Sequence, residues 1–298
     1  MTRLAFVGVG RMGLPMARNL LQAGHEVVAA DVDSAALAAI QSAGAEVADS
    51  PAAAVQAAGK LAIAILPSPA IVEEVLLGKE GMLAAVPPGG VLLDMSTGPP
   101  ELARRLAQAG EANGVEVLDA PVSGGPPGAE AGTLAIMVGA STAGFERVRP
   151  VLEAMGSRIL HMGGPGAGQA TKLCNNLLAG VHMAALAESV AIAQREALDP
   201  HRLLDALSNS TGDSRVLRMR FPVPGVLPDA PASRDFAPLF PVDLIAKDLA
   251  LAIGTAQAHG LDTPMAELAL QRYRTAQGRD LGERDYSVVA TLVDPEAD

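Results

Sequence analysis

The sequence predicts an α/β domain with a doubly wound parallel sheet, followed by an all-α domain. Short apolar runs alternate with helix-like stretches up to about residue 160. A Gly- and Pro-rich run at 163–166 interrupts this alternation, and long stretches rich in Ala, Leu and Met follow it. We therefore expect two domains, residues 1–164 and residues 165–298.

The strands of the first domain are predicted from short apolar runs that end at Gly, Pro or polar residues. They cover 4–9, 26–30, 61–66, 91–94, 115–118, 134–138 and 158–161. Amphipathic spacing and helix-start signals such as Ser50-Pro51 predict helices at 12–23, 52–58, 101–113 and 142–155. In the second domain, helices are predicted at 168–196, 200–209, 241–260 and 263–278.

A glycine-rich turn joins the first strand to the first helix. Gly8, Gly10 and Gly13 have G-x-G-x-x-G spacing. The first glycine allows a tight turn, the second allows backbone to approach a pyrophosphate, and the third lets helix and strand pack closely. The free N–H groups at the helix start attract phosphate. This predicts a Rossmann-type dinucleotide site, with cofactor contacts from Gly8, Val9, Gly10, Arg11, Met12 and Gly13.

Asp31 ends the second strand and bears on the choice of cofactor. A carboxylate there accepts hydrogen bonds from ribose hydroxyls and repels a 2′-phosphate. Residues 32–34 supply no arginine that would bind such a phosphate. These features favour NAD over NADP. The alternative is that Asp31 only caps a helix that starts near Ser34.

Composition excludes several classes of partner. The chain has 298 residues, 2% aromatic residues, no Trp and a formal net charge of −11. Few aromatics rule out stacking platforms for single-stranded nucleic acid, and the negative charge argues against nucleic acid and anionic membranes. Cys174 is the single cysteine, which excludes an internal disulfide, and residues 1–3 run directly into a strand. We expect a cytoplasmic protein.

Residues 173–193 are apolar enough to resemble a membrane span. This stretch also contains Asn175, Asn176, His182 and Glu188. Because such polar side chains are costly in lipid, we expect a buried helix of a soluble protein.

Two polar patches follow predicted strands. Leu66-Pro67-Ser68 comes after one strand, and the run 94–97, Asp-Met-Ser-Thr, ends another. Ligands of open α/β sheets bind beyond the carboxyl ends of strands, so both patches are placed to contact a cofactor. Either patch is equally explained as a helix-start signal.

A third patch, Ser123-Gly124-Gly125, leaves several backbone N–H groups unobstructed. Such groups form a nest suited to a carboxylate. The alternative is a flexible loop without a ligand.

Lys172 and Asn176 are four residues apart and share one face of the predicted long helix. Lys172 lies near the positive end of the helix dipole, and that position, together with burial, favours loss of its proton. A neutral lysine is a competent base for an alcohol proton. The alternative is a lysine that extends to solvent.

Two further cations are candidates for binding roles. Lys247 lies beside Asp248 in an apolar helix, as either a functional residue or a surface pair. Arg215 ends a polar stretch predicted as a loop, where it is either an anion contact or an ordinary surface residue.

Taken together, these motifs resemble the β-hydroxyacid dehydrogenase family, and within it the branch that acts on 3-hydroxyisobutyrate. The matching segments are GVGRMGLPMARNLLQAGH, LPSPAIVEEV, DMSTGPP, DAPVSGG, GAGQATKLCNN, PGVLPDAPASRDF, the KDL run at 247–249 and ERDYSVV. The resemblance implies a dinucleotide domain, a long interdomain helix and an all-helical domain like the C-terminal domain of 6-phosphogluconate dehydrogenase. It also implies a homodimer or homotetramer.

The resemblance implies a role for each candidate residue. Lys172 is the general acid and base, and NAD oxidises a 3-hydroxy acid to its semialdehyde. The implied reaction converts 3-hydroxyisobutyrate to methylmalonate semialdehyde in valine catabolism, with no metal. The implied substrate contacts are Ser123, Gly124, Gly125, Asn176 and Arg215, and the implied NAD contacts are the glycine turn, Asp31, Leu66, Pro67, Thr97 and Lys247.

One departure leaves the substrate open. Members of the hydroxyisobutyrate branch have an aromatic residue, usually Trp, near the position of Arg215, and this chain has no Trp. A guanidinium suits an anionic or polar group better than a methyl. Relatives that act on tartronate semialdehyde or L-serine therefore remain alternatives.

Two rival functions also remain. Imine reductases share the two-domain architecture but usually have another residue type at the position of Lys172. A non-catalytic NAD-sensing module would need neither the pair Lys172 and Asn176 nor a carboxylate nest.

Overall fold

A computed structural model describes residues 1–294 and confirms the predicted fold class. The chain divides into two compact units, Met1–Lys172 and Leu173–Asp298. The first is an α/β unit and the second is helical. The long helix α9 (Ala167–Arg195) starts in the first unit and continues into the second. The boundary between residues 164 and 165 remains a prediction.

The sheet has the strand order of a doubly wound nucleotide-binding fold. Its strands are β1 (Arg3–Val7), β2 (Glu26–Ala30), β3 (Glu46–Val47), β4 (Leu61–Ala64), β5 (Val91–Asp94), β6 (Glu116–Asp119), β7 (Val122–Ser123), β8 (Leu134–Gly139) and β9 (Gly156–Gly163). The order is β3-β2-β1-β4-β5-β6-β8-β7, and β9 pairs with β8. Strands β1 to β6 are parallel, and the order reverses between β1 and β4. Ligands bind at such a reversal, beyond the carboxyl ends of the strands.

The helices of the first unit begin at short polar or proline-containing signals. They are α1 (Gly13–Gln22), α2 (Ser34–Ser42), α3 (Pro51–Ala58), α4 (Pro69–Leu77), α5 (Met82–Ala85), α6 (Pro100–Ala112), α7 (Gly125–Glu130) and α8 (Thr142–Leu152). As predicted, Ser50 caps α3, because its side chain accepts a hydrogen bond from the Ala53 N–H. The sequence did not predict α5, α7, β3 or β7, each of which is too short for a periodic pattern.

Both faces of the sheet are covered by apolar clusters. Along β1, Leu4 and Phe6 belong to one cluster, whereas Ala5 and Val7 belong to the other. All four side chains are buried. This two-sided burial explains why the parallel strands are continuous apolar runs.

The second unit is built from helices around its own core. Besides most of α9 it contains α10 (Pro200–Ser208), α11 (Arg215–Arg220), α12 (Val242–Ala258), α13 (Pro264–Gln277) and two 3₁₀ helices, Pro231–Arg234 and Tyr286–Leu292. The buried Tyr273 hydroxyl donates to the Gly180 carbonyl at 2.8 Å. A side chain at position 180 would lie 2.9 Å from Leu249, so glycine lets α12 approach α9 closely. In the described part of this unit, the β pairing is an isolated bridge between Pro241 and Asp285.

Helix α9 is long and apolar enough to cross a membrane by length and composition alone, with a mean hydropathy of 1.4. The core helix of a soluble protein has the same properties. Of the apolar window, 39% is buried. The polar side chains of Lys172 and Asn176 on this helix are also buried. Buried polar groups fit the predicted core helix better than a lipid-facing one.

The carboxyl end of β5 buries an acidic side chain. Asp94 is 4% exposed, and its Oδ1 accepts a hydrogen bond from the Ser96 N–H at 2.9 Å. Burial raises the pKa of Asp94 from 3.8 to about 6, helped by the charge of Asp119 and opposed by the hydrogen bonds from Ser96. The folded chain therefore binds the Asp94 proton more tightly than the unfolded chain does.

We expect D94N to gain stability relative to wild type as the pH rises. The folded chain holds the Asp94 proton more tightly than the unfolded chain, so this proton stabilises the wild-type fold. That stabilisation is complete below pH 3.8 and is lost as the pH rises through about 6, whereas D94N has no such dependence. The shift corresponds to about 3 kcal/mol in the free energy of unfolding. Urea denaturation between about pH 4 and pH 7.5 measures the effect. The exposed Asp262 provides the control D262N, and a pH-independent difference for D94N would contradict the prediction.

Candidate functional site

The glycine turn has the conformation that the motif predicts at its first and third positions. Gly8 has a φ of +91°, and a Cβ there would lie 2.2 Å from the Ile65 carbonyl oxygen. A Cβ on Gly13 would lie 1.8 Å from the Gly8 carbonyl oxygen. Only glycine therefore permits this turn and the close packing of α1 on β1.

Gly10 differs because it faces open space. It is exposed, and a Cβ there would have no neighbour within 4 Å. The start of α1 has no side-chain cap and no acidic residue in its first turn. The exposed Arg11 and the half-buried Met12 lie between Gly10 and that helix. Uncapped N–H groups beside an open backbone fit the pyrophosphate of a dinucleotide.

Asp31 is connected to the glycine turn. Its Oδ2 accepts the Val9 N–H at 2.6 Å, and its Oδ1 accepts the Asp33 N–H at 2.9 Å. Helix α2 is capped by Asp33 instead, so the alternative that Asp31 caps this helix is wrong. Each carboxylate oxygen can accept a further hydrogen bond, which leaves capacity for ribose hydroxyls.

The loops after β4 and β5 are hydrogen-bonded to each other at the carboxyl edge of the sheet. The Leu66 N–H donates to Ser96 Oγ at 2.8 Å. Ser68 caps α4 through the Ile71 N–H, so the helix-start alternative holds for that serine. Helix α6 has no side-chain cap, so the half-buried Thr97 does not serve as one. The exposed Pro67 lies in the same loop as Leu66.

The Ser123-Gly124-Gly125 segment connects a short strand to a helix. Ser123 pairs with Ala135 in the sheet, and α7 starts at Gly125. Gly124 and Gly125 have φ values of +143° and +63°. A strand and a helix therefore hold the two ends of the segment, which does not fit the alternative of a flexible loop. That its backbone N–H groups bind an anion stays a prediction.

Asp119, at the end of β6, caps the start of α9. Its Oδ1 accepts the Gly166 N–H at 2.7 Å, and its Oδ2 accepts the Gln169 N–H at 2.8 Å. Asp119 is 3% exposed. Burial raises its pKa, and the backbone N–H donors oppose that effect. Sequence reasoning missed this role, because Asp119 and Gly166, whose N–H it accepts, are 47 residues apart in the chain.

Two glycines make room for the Asp119 carboxylate. A Cβ on Gly139 would lie 2.3 Å from Asp119 Oδ1. A Cβ on Gly168 would lie 2.3 Å from the Met137 carbonyl oxygen and 2.9 Å from Asp119 Oδ2. The first turn of α9 is thus packed directly against the sheet.

Lys172 lies in the second turn of α9 and is 7% exposed. The alternative of a lysine that extends to solvent is therefore wrong. Asn176 follows one turn later on the same helix and is 3% exposed. Its Nδ2 donates to Asp248 Oδ2 at 2.5 Å, and its Oδ1 accepts from Asn175 Nδ2 at 2.9 Å.

Asp248 is a second residue whose role the sequence did not reveal. It is 2% exposed, so the alternative of a surface pair with Lys247 is wrong. Lys247 Nζ lies 3.0 Å from Asp248 Oδ1, while the other carboxylate oxygen holds Asn176. The signal that the sequence offered for this role was a carboxylate next to a lysine within an otherwise apolar helix.

Arg215 is not in a loop, contrary to the prediction. It is the first residue of α11, and the Ser214 hydroxyl caps that helix by accepting the Leu217 N–H at 3.0 Å. The sequence did not reveal Ser214 as a cap, because a helix of only six residues has no periodic apolar pattern to mark its start. Arg215 is exposed, and its Nε lies 3.2 Å from Met219 Sδ.

Comparisons with known proteins extend over both units. The family described as the NAD binding domain of 6-phosphogluconate dehydrogenase matches residues 3–164. The family described as NAD-binding of NADP-dependent 3-hydroxyisobutyrate dehydrogenase matches residues 166–293.

Individual relatives match at high identity. The NAD-dependent L-serine dehydrogenase of Pseudomonas aeruginosa is 44% identical over 295 residues, with 99% of each chain covered. The 3-hydroxyisobutyrate dehydrogenase of the same organism is 46% identical over 269 residues, with 90% of each chain covered. A solved 3-hydroxyisobutyrate dehydrogenase of Mycobacterium tuberculosis, described with L-serine, has a TM-score of 0.92 at 38% identity and covers 98% of this chain and 99% of its own.

These relatives span both units of the chain, all three are described as dehydrogenases, and the L-serine enzyme is described as NAD-dependent. The open glycine turn fits that cofactor. The chain therefore belongs to the β-hydroxyacid dehydrogenase family and is an NAD-dependent oxidoreductase that acts on a CH–OH group.

Proposed function

We propose that this enzyme oxidises 3-hydroxyisobutyrate to methylmalonate semialdehyde, with Lys172 as the general acid and base. The observation that carries the proposal is the buried Lys172 one helical turn before the buried Asn176. A place in valine catabolism follows from that substrate. L-Serine is the second candidate, because one relative is a dehydrogenase of L-serine and a solved relative is described with it.

The cofactor contacts are proposed at the carboxyl edge of the sheet and on α12. NAD, when bound, accepts a hydride from the carbon that carries the hydroxyl. Gly10 and the uncapped start of α1 receive the pyrophosphate, and Asp31 receives the ribose hydroxyls. The remaining proposed contacts are Gly8, Val9, Arg11, Met12, Gly13, Leu66, Pro67, Thr97 and Lys247.

Lys172 moves the proton of the reaction. As the hydride leaves the carbon, the hydroxyl proton passes to the neutral Lys172 amine and the C–O bond becomes a carbonyl. In the reverse direction the ammonium returns the proton to the carbonyl oxygen. Lysine suits this role because its amine, unlike a guanidinium, can lose its charge in a protein.

Asn176 orients the hydroxyl. Because a carboxylate only accepts hydrogen bonds, Asp248 fixes which end of the Asn176 amide is Nδ2. The second Nδ2 hydrogen is then available to the hydroxyl oxygen, which leaves the hydroxyl proton for Lys172. The substrate carboxylate binds the backbone N–H groups of Ser123, Gly124 and Gly125.

A homodimer or homotetramer in the cytoplasm is also proposed. Large apolar side chains of the second unit are exposed, including Leu178 at 53%, Ile192 at 67% and Leu268 at 58%. A second copy of the chain would cover such side chains.

K172A is expected to lower kcat by about 10²–10⁴-fold, because the proton acceptor is lost. The Kd for NAD should not change, since Lys172 is assigned to the proton and not to the dinucleotide. K172R should lose a similar factor, because arginine keeps its proton. Formation of NADH and NAD titration measure the two quantities. The exposed Lys60 gives the control K60A, and a K172A variant with more than about a tenth of wild-type kcat would overturn the assignment.

G10A is expected to bind NAD at least about tenfold more weakly, since its methyl would occupy the space that the pyrophosphate approaches. The melting temperature should stay unchanged, because that methyl has no neighbour within 4 Å. The matched control is G254A, an exposed glycine with equally open surroundings. Equal NAD affinity of G10A and wild type would place the dinucleotide elsewhere.

A panel of substrates tests the choice of hydroxy acid. We expect kcat/KM to be highest for 3-hydroxyisobutyrate with NAD, ahead of L-serine and of glycerate, the alcohol that corresponds to tartronate semialdehyde. We expect R215W to raise the preference for 3-hydroxyisobutyrate over glycerate, because an aromatic ring favours a methyl over a polar group. Higher kcat/KM for L-serine would select the second candidate, and equal rates with NAD and NADP would contradict the role of Asp31.

A further inference from the structure

Gln169 is a buried polar residue that the proposed chemistry does not use. It lies in the first turn of α9 and is 1% exposed. Its Nε2 donates to the Ser96 carbonyl at 2.8 Å, and its Oε1 accepts the Gly98 N–H at 2.9 Å. The amide thus bridges the two residues that flank Thr97.

The same loop is fixed on its other side. Ser96 Oγ accepts the Leu66 N–H at 2.8 Å, and the Ser96 N–H donates to Asp94 at 2.9 Å. The Gln169 backbone N–H is held by Asp119 at 2.8 Å. A continuous set of hydrogen bonds therefore joins the loops after β4 and β5, the end of β6 and the first turn of α9.

Lys172 follows Gln169 by three residues, so the two lie on neighbouring positions of one helical side, about 4.5 Å apart along the axis. A change in the position of this first turn would move Lys172 with it. A displacement of about 1 Å from the reacting geometry can cost about 10²-fold in rate.

We propose that Gln169 is a positioning residue that fixes Lys172 relative to the loop carrying Thr97. The inference rests on the proposed function, in which Lys172 moves the proton and Thr97 contacts NAD. An amide is required because the loop presents one carbonyl acceptor and one N–H donor. A methionine of similar length satisfies neither group, whereas a carboxyl group retains an acceptor for the Gly98 N–H.

Q169M is expected to lower kcat by about 10- to 100-fold, and to change the Kd for NAD by a smaller factor. Q169E should have a kcat between those of Q169M and wild type. The control is Q277M, because Gln277 is exposed and its side chain donates to Asp243 on the surface of the second unit. Q277M should retain wild-type kcat.

A double-mutant cycle separates positioning from general structural damage. If Gln169 acts through Lys172, adding Q169M to K172A causes no further loss of kcat, because no amine remains to be positioned. A loss of the same factor in both backgrounds, or a folded Q169M with wild-type kcat, would overturn the inference. If Q169M does not fold, the same cycle with Q169E decides by the same criteria.

The cycle also separates this inference from the proposed function. A K172A enzyme that retains wild-type kcat refutes the role of Lys172 and, with it, the positioning role. If K172A loses kcat and Q169M lowers kcat by the same factor with and without K172A, only the role of Gln169 is refuted.

Discussion

The capping of α9 by Asp119 is the interaction on which the arrangement of the first unit depends. A helix that starts inside a protein presents backbone N–H groups that need partners. Asp119 supplies a buried carboxylate to two of them, and its negative charge lies at the positive end of the helix dipole. The lack of a Cβ at Gly139 and Gly168 permits this contact. The end of β6 thereby fixes the position of the first turn of α9, and with it the position of Lys172 in the next turn.

The buried amide side chains of the apolar helix α9 each have specific hydrogen-bond partners. Asn176 could rotate its amide in water, but next to the buried Asp248 only one orientation satisfies the carboxylate. Gln169 is held in the same way by backbone groups of the loop after β5. Burial makes an unsatisfied amide costly, so each of these side chains has one favoured position. Fixed positions of this kind are what proton and hydride transfer require.

The three glycines of the turn after β1 are needed for two different reasons. Gly8 and Gly13 are required by the fold, because any side chain there would collide with backbone. Gly10 is free of such contacts, so the fold alone gives no reason for a glycine at this position. A ligand that approaches the backbone supplies the reason. The carboxylate of Asp31 connects both aspects, since it binds the turn and keeps capacity for a ribose.

By itself, the sequence determined the alternating α/β pattern of the first unit, the glycine turn, and the Lys172–Asn176 spacing along α9. These follow from local periodicity, local backbone geometry and helical repeat, which neighbouring residues decide. Only the tertiary structure decided the partners of Asp119, Gln169 and Asp248. Asp119 meets Gln169 across 50 residues, and Asn176 meets Asp248 across 72 residues. No local pattern specifies which distant side chains meet, because chain topology and burial bring them together.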